Sequence, residues 1–201
     1  MQSIEDKLLS RIYGKGKGWT FTPNHFLDLG STASVNKALQ SLHQRGVIRR
    51  LARGLYDYPQ THPKLGRLDP TPEQIARALT GRDRLRIQPS GAYAANLLGL
   101  SLQVPAKAVF LTDGVNRTVK VENQIITLKQ TTPKNMATAG RVSGLVIQAL
   151  RHIGRDNVDA DVIKKLDAQL TPQDRKTLMK DIRLAPAWIG DIFRQLAHAE
   201  T

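Results

Sequence analysis

The chain has 201 residues and no cysteine, and 30 Lys and Arg against 17 Asp and Glu give it a formal net charge of +13. This length holds one large domain or two small ones. The missing cysteine excludes disulfides, thiol catalysis and Cys-bearing zinc sites, and the charge favours an anionic partner, nucleic acid before an acidic membrane. No apolar run approaches a membrane span, and MQSIEDKLLSRIY lacks the basic and apolar regions of a signal peptide. A cytoplasmic protein without membrane attachment is the expectation.

Ser3 to Tyr13 reads as a first helix, with Ile4, Leu8, Leu9 and Ile12 on one stripe and Glu5 and Asp6 at the positive end of the dipole. Gly14-Lys15-Gly16-Lys17-Gly18 follows. A phosphate-binding loop of the G-x-x-x-x-G-K-[ST] type sits between a strand and a helix. Here a helix precedes it and no Ser or Thr follows a Gly-Lys pair. The stretch reads instead as a flexible connection into a short strand, Trp19–Thr22, with Lys15 and Lys17 within reach of a phosphate backbone.

The segment Pro23–Tyr58 organises the rest. A short apolar piece (Phe26, Leu27, Leu29) ends at Gly30, and a second helix follows with Val35, Leu39 and Leu42 spaced i, i+4, i+7. Gly46 stops that helix through a left-handed turn. Two β-like runs, Val47–Leu51 and Leu55–Tyr58, are joined by Ala52-Arg53-Gly54. Helix, tight turn, helix and hairpin is the layout of a winged helix-turn-helix, whose second helix enters the DNA major groove. No acidic residue lies between Asp28 and Asp57, whereas Lys37, Arg45, Arg49, Arg50 and Arg53 all do. A one-sign stretch of this kind suits a phosphate backbone. With Leu39 at the centre of the buried face, Ala33, Asn36, Lys37, Gln40 and Gln44 point outward. Asn and Gln pair with adenine, and Lys reaches guanine acceptors. Ser31, Thr32 and Ser34 either cap the helix or touch phosphate.

Beyond the wing, Pro59–Pro70 reads as a proline-bearing linker, which divides the chain into a winged domain (1–62) and a second domain (68–201). Thr71-Pro72-Glu73 starts a helix that stops at Gly81. A short strand at Arg84–Gln88, a helix at Ala92–Leu98 and three β-like runs (Ala108–Thr112, Arg117–Glu122, Gln124–Gln130) predict a small antiparallel sheet. Helical patterns follow from about Ala139, with Val142, Leu145, Val146, Ala149, Leu150 and Ile153 on one face, then at Asp159–Leu170, Pro172–Ile182 and Pro186–Ala197. The second domain is therefore α+β, strands first and helices afterwards. Its acid-free stretch, Asn123 to Arg155, carries Lys129, Lys134, Arg141, Arg151 and Arg155, and Arg84, Arg86 and Lys107 lie in another. These are a second nucleic-acid surface or an ordinary basic one.

No catalytic constellation emerges. The five histidines form neither H-x-x-x-H nor H-E-x-x-H. Asp159 and Asp161 sit at a helix start, where Asp is favoured electrostatically, and read as capping. Gly140–Gly144 is not G-x-S-x-G, and nothing near Ser90 or Tyr93 activates either. Neither enzyme chemistry, cofactor nor metal is expected.

Residues Gly30-Ser31, Val35-Asn36-Lys37-Ala38-Leu39, Leu42, Gly46-Val47-Ile48-Arg49-Arg50 and Arg53-Gly54-Leu55-Tyr56 together resemble the winged-helix domain of the AbiEi family of antitoxins. Ala94-Ala95-Asn96-Leu97-Leu98-Gly99-Leu100, Gln103-Val104-Pro105 and Leu111-Thr112-Asp113-Gly114 resemble the start of that family's C-terminal domain. The resemblance extends to about residue 155. It implies an autorepressor that binds repeats of double-stranded DNA in its own promoter. It also implies an antitoxin that opposes a nucleotidyltransferase toxin of a type IV toxin–antitoxin, abortive-infection (phage-defence) system, without a stable complex. Lys37, Arg49, Arg50 and Arg53 match the basic recognition-helix and wing positions. Family members often carry more Arg or Lys in that helix, so Asn36 and Gln40 suggest a different base preference or weaker affinity. The alternatives are an RNA-directed accessory protein or enzyme, and a winged-helix regulator whose second domain senses a ligand.

Overall fold

The computed structural model describes residues 3–81 and 85–198. They fall into two compact units. One holds the chain up to Leu85 together with Val119–Gln124; the other holds Arg86–Thr118 and the chain from Ile125 onward. The architecture is α+β, as expected.

In the first unit, α1 (Ile4–Lys15) is capped by Ser3, whose hydroxyl accepts from the Asp6 amide while Asp6 reaches back to the Ser3 amide. This reciprocal capping box satisfies two amides that no helical carbonyl can reach. Leu8 and Ile12 are fully buried. β1 (Thr20–Phe21) leads into a 3-10 turn at Pro23–Phe26, and then comes α2 (Thr32–Gln44). The α2 stripe is buried as its spacing predicts, at Val35, Leu39 and Leu42, with Ala38 added. The helix ends in a Schellman motif: the Gly46 amide donates to His43 O and the Val47 amide to Leu42 O. That closure needs Gly46 at φ +71°, a left-handed conformation that glycine adopts without Cβ strain. β2 (Arg49–Ala52) and β3 (Leu55–Asp57) form the hairpin, and β1 joins it in the order β1-β3-β2. Helix, strand, short helix, helix and hairpin make the expected winged arrangement. Phe21, Phe26, Leu39 and Ile48 lie in its core. Each such side chain contributes roughly 1.5–3 kcal/mol through burial.

Two expectations change here. Pro59–Pro70 is not simply a linker: β4 (Gln60–His62) and β5 (Gly66–Leu68) pair antiparallel into an exposed ribbon. The His62 ring accepts hydrogen bonds from the Lys64 and Leu65 amides across its turn. And α3 (Pro72–Thr80), capped by Thr71 as predicted, falls in the first unit and contacts β1. The first unit therefore continues past residue 62 to Leu85. Register explains the packing. Phe21, Tyr56 and Arg50 are paired neighbours on one face of the sheet, and Thr20, Asp57 and Arg49 on the other. α2 covers the first face and α3 the second.

The second unit begins with β6 (Ile87–Ser90). Arg84, at the head of the strand expected there, lies outside the described residues. α4 (Gly91–Leu97), β7 (Lys107–Thr112), β8 (Arg117–Val121) and β9 (Gln124–Gln130) follow, the end of β8 from Val119 and the first residue of β9 being counted with the first unit. The sheet runs β6-β7-β9-β8, and β7 pairs with β9 in parallel. It is therefore mixed rather than antiparallel throughout. β9 inserts between β7 and β8 because Ile126 and Leu128 must be buried. β8, with exposed Arg117, Thr118 and Lys120, suits an edge, where charge deters further pairing. The Asn116 side chain accepts from the Gln130 amide at 2.7 Å, which ties the β7–β8 crossing to the end of β9. A one-turn helix α5 (Pro133–Met136), not evident in the sequence, precedes α6 (Val142–Ile153). α7 (Ala160–Gln169), α8 (Pro172–Lys180) and α9 (Ala187–His198) complete the chain. Val146, Ala149 and Leu150 pack with Leu166, Leu178, Ile189 and Phe193. Beyond the predicted stripe, α6 also buries Ser143, Gly144, Ile147 and Gln148. No helix among the described residues is long and apolar enough to cross a membrane.

A Cβ on Gly144 would stand 2.4 Å from Thr138 O and 2.5 Å from the Gln88 side-chain oxygen. Ala gains about 1 kcal/mol over Gly in a helix, but forcing backbone apart costs more, roughly 1–3 kcal/mol or above. Gly144→Ala is expected to lose about 2 kcal/mol net. Gly190→Ala, whose nearest neighbour would be Ile182 at 3.4 Å, should hold or gain stability. Urea unfolding of both variants checks this, and equal midpoints would refute the close approach at Gly144.

Candidate nucleic-acid interface

The outward face of α2 is the starting point. Asn36, Lys37 and Gln40 are exposed on it. None has a hydrogen-bond or ion-pair partner among the described residues. Across from it on the hairpin stand Arg50, exposed at the β2 edge, and Tyr56. Asn36, Gln40, His43, Gln44, Arg50 and Tyr56 line one open cleft of about 370 Å³. The helix brings amide side chains one turn apart, at 36, 40 and 44, to the same groove wall. The strand supplies the cation on the opposite wall. Arg53 is exposed at the hairpin turn, beside Gly54 at φ +70°, and also lacks a partner among the described residues. Chemically the surface offers donors and acceptors for base edges, flanked by point charges for phosphate.

The helix start behaves as a cap. The Ser31 hydroxyl accepts from the Ser34 amide at 3.3 Å, and the Ser31 and Ser34 hydroxyls lie 2.5 Å apart. Thr32 opens the first turn, exposed and without a side-chain hydrogen bond among the described residues. Ser31 and Ser34 are thus occupied with helix initiation, and Thr32 remains open to an approaching phosphate.

Arg49 is elsewhere. Strand alternation puts it on the face opposite Arg50, against Asp57. Its Nε and Nη2 donate to the two Asp57 carboxylate oxygens at 3.1 and 2.7 Å, its Nη1 donates to Asp69 at 2.7 Å, and Leu68 O accepts from Nη2 at 3.3 Å. Asp57 is only 2% exposed. The guanidinium is held well above its ordinary pKa, first by the Asp57 hydrogen bonds, against desolvation and with help from Asp69. Its fork is spent on compensating a buried carboxylate, so the structure removes Arg49 from the surface that α2 and Arg50 form. Two adjacent arginines on one strand cannot both face one groove, and that period-2 rule was available in the sequence.

Lys15 and Lys17 also lie apart. β1 runs antiparallel to β3, with Thr20 opposite Asp57 and Phe21 opposite Tyr56. The Gly18 amide donates to Tyr58 O. The lysine loop therefore sits at the end of β3 remote from the Arg53 turn, roughly 10 Å along the strand. Arg45, inside the acid-free stretch, pairs with Glu5.

In the second unit several members of the basic stretches are likewise engaged. Arg141 pairs with buried Asp181 at 2.9 Å, Arg86 with Asp113 at 2.8 Å, and Arg151 donates to Asn135. The Arg86 guanidinium holds the Asp113 carboxyl below its usual range. Of the two carboxylates read as capping, Asp159 caps, accepting from the Val162 amide at 2.9 Å, whereas Asp161 in the first turn pairs with Lys165 at 2.7 Å.

A family model described as "Family of unknown function (DUF6088)" matches residues 5–178. No curated protein matches the chain. Among solved structures, that of the RV2827C protein from Mycobacterium tuberculosis is similar over 90% of this chain and 78% of that one, at 14% identity and a TM-score of 0.43.

The Arg49 assignment carries a consequence for stability. Removing one partner of a buried ion pair leaves the other charge stranded, a cost of about 3–5 kcal/mol. With Arg49 17% exposed, Arg49→Ala is expected near the lower end, roughly 3 kcal/mol. Arg50→Ala is expected within about 0.5 kcal/mol of the parent. Thermal unfolding of the two single variants separates them; equal losses would mean Arg49 is as dispensable to the fold as Arg50.

Proposed function

The chain belongs to DUF6088, a family of unknown function, and we propose that it is a winged-helix transcriptional repressor that binds double-stranded DNA in its own promoter, acting in the cytoplasm. The observation that carries this reading is the unpaired outer face of α2, with Asn36, Lys37 and Gln40 set across an open cleft from Arg50. α2 enters the major groove. Asn36 and Gln40 make bidentate contacts with adenine, and Lys37 reaches guanine O6 or N7. Arg50 and Arg53 neutralise backbone phosphates on either side, and each neutralised phosphate releases condensed counterions. Thr32, at the positive end of the helix dipole, adds a phosphate contact.

The second half of the proposal rests on the resemblance to AbiEi antitoxins. In it, the chain opposes a nucleotidyltransferase toxin encoded beside it, without forming a stable complex.

The test is a titration of the purified chain on its upstream duplex and on a scrambled duplex at two salt concentrations. The expected result is a preference for the upstream duplex. Lys37→Ala with Gln40→Ala is expected to reduce that preference about 10- to 100-fold, since each good bidentate pair discriminates by about 1–3 kcal/mol. Equal, steeply salt-dependent binding to both duplexes would leave only non-specific charge and end the repressor reading. For the antitoxin half, co-expression with the adjacent nucleotidyltransferase is expected to restore growth. Unrelieved toxicity would sink that half alone.

A further inference from the structure

The first unit carries a second basic concavity at the other end of its sheet. Lys15, Lys17, Trp19, Thr20, Gln74 and Arg77 line a cleft of about 380 Å³, with no carboxylate among its lining residues. That volume is at the lower end of small-molecule sites. Lys15 and Lys17 are exposed and have no ion-pair partner among the described residues. Arg77 directs Nε and Nη2 to a single Glu73 oxygen, which leaves Nη1 to donate elsewhere. Thr20 is 5% exposed, and its hydroxyl is a buried side-chain oxygen without a hydrogen-bond partner. Buried polar groups in folded proteins are nearly always satisfied; Thr20 lines the cleft while its hydroxyl is sealed from solvent and orphaned, so it is short of a partner that the cleft can supply. The nearest buried carboxylate across the strand pair, Asp57, is already neutralised by Arg49.

We propose that this cleft binds the phosphoryl group of a small phosphorylated molecule. Lys15, Lys17 and the free Arg77 nitrogen surround the dianion as charge donors. On binding, rotation about χ1 turns the Thr20 hydroxyl into the cleft, where it donates to a phosphoryl oxygen and gains the partner it lacks. Trp19 and Ala78 offer an apolar wall to the organic portion. The site is separate from the α2 surface, and its existence does not depend on the DNA-binding reading. It gives the lysines of the Gly14–Gly18 loop a role that neither a strand-to-helix phosphate loop nor the α2 surface supplies.

The chain has two tryptophans, Trp19 and Trp188. In a Trp188→Phe background, Trp19 emission reports on the cleft alone. Pyrophosphate and adenosine 5′-monophosphate are titrated at ionic strength held constant with sodium chloride. The expected result is a saturable change in emission, at least tenfold weaker in affinity for Lys15→Ala with Lys17→Ala and for Thr20→Val. Thr20→Val is also expected to raise the melting temperature of the free protein, because it removes the orphan hydroxyl. Calorimetric titration of the otherwise unmodified chain and the same variants repeats the measurement without Trp188→Phe. A change linear in phosphate, or unaltered affinity in the lysine variant, would overturn the site. A higher melting temperature with undiminished binding in Thr20→Val would remove the hydroxyl from it and, with it, the argument for a built site. A response to duplex DNA and to neither small phosphate would overturn the assignment to a small molecule.

Discussion

The first unit depends on pairing the buried Asp57 carboxylate. A buried carboxylate without a partner costs several kcal/mol, so such groups are paired or neutralised. Asp57 lies on the central strand of a three-stranded sheet with a helix over each face. Arg49, on the neighbouring strand, meets it with two parallel hydrogen bonds. The same guanidinium then reaches Asp69 and Leu68 O, at the base of the β4–β5 ribbon and just ahead of α3. One side chain thereby fixes the hairpin register, closes the ribbon and positions the helix that covers the second face. With the register fixed, Arg50 must stand on the other face, beside Tyr56 and opposite α2. The geometry of the candidate interface is in this sense a by-product of how one buried charge is satisfied.

Much of this was legible in the sequence because the relevant signals are local. The Val35, Leu39 and Leu42 stripe, the Gly46 stop, the Thr71-Pro72 start and the Asp159 and Thr171 caps depend on residues within a turn or two of each other. Each lies where its spacing placed it. What was not legible involves partners far apart in sequence. Pro59–Pro70 looks like a linker by composition, and only the pairing of Gln60 with Leu68 makes it a ribbon. α3 has the pattern of any amphipathic helix; its membership of the first unit depends on the sheet face left uncovered by α2. The parallel β7–β9 pairing depends on which of two β-prone runs most needs burial.

The candidate site shows the same division. The outward positions of α2 follow from helical period alone, and Asn36, Lys37 and Gln40 are exposed accordingly. Charge counted along the sequence groups Arg49 with Arg50 and Arg53, and only strand alternation separates them. Lys15 and Lys17 join that group by the basic character of their loop alone. The antiparallel register of β1 with β3 places that loop at the far end of the sheet.

Net charge by itself is a poor guide to where a basic protein meets its partner. Among the described residues most ion pairs use arginine: Arg11 with Asp28, Arg45 with Glu5, Arg49 with Asp57, Arg77 with Glu73, Arg86 with Asp113, Arg141 with Asp181, Arg175 with Asp167 and Arg194 with Asp191. The guanidinium fork matches a carboxylate bidentately, so folding tends to consume arginine internally. An ammonium is a compact, strongly hydrated charge that loses more by being buried. Lys15, Lys17 and Lys37 accordingly remain in solvent, and among the described residues of the helices and hairpin up to Tyr58, Arg50 and Arg53 are the arginines left outside such pairs. Lys15, Lys17, Lys37, Arg50 and Arg53, five of the cations behind the excess of +13, thus fall into two short constellations at opposite ends of one small sheet. One holds amide side chains among its cations and is suited to base edges. The other holds an unsatisfied hydroxyl and a cavity, and is suited to a compact anion.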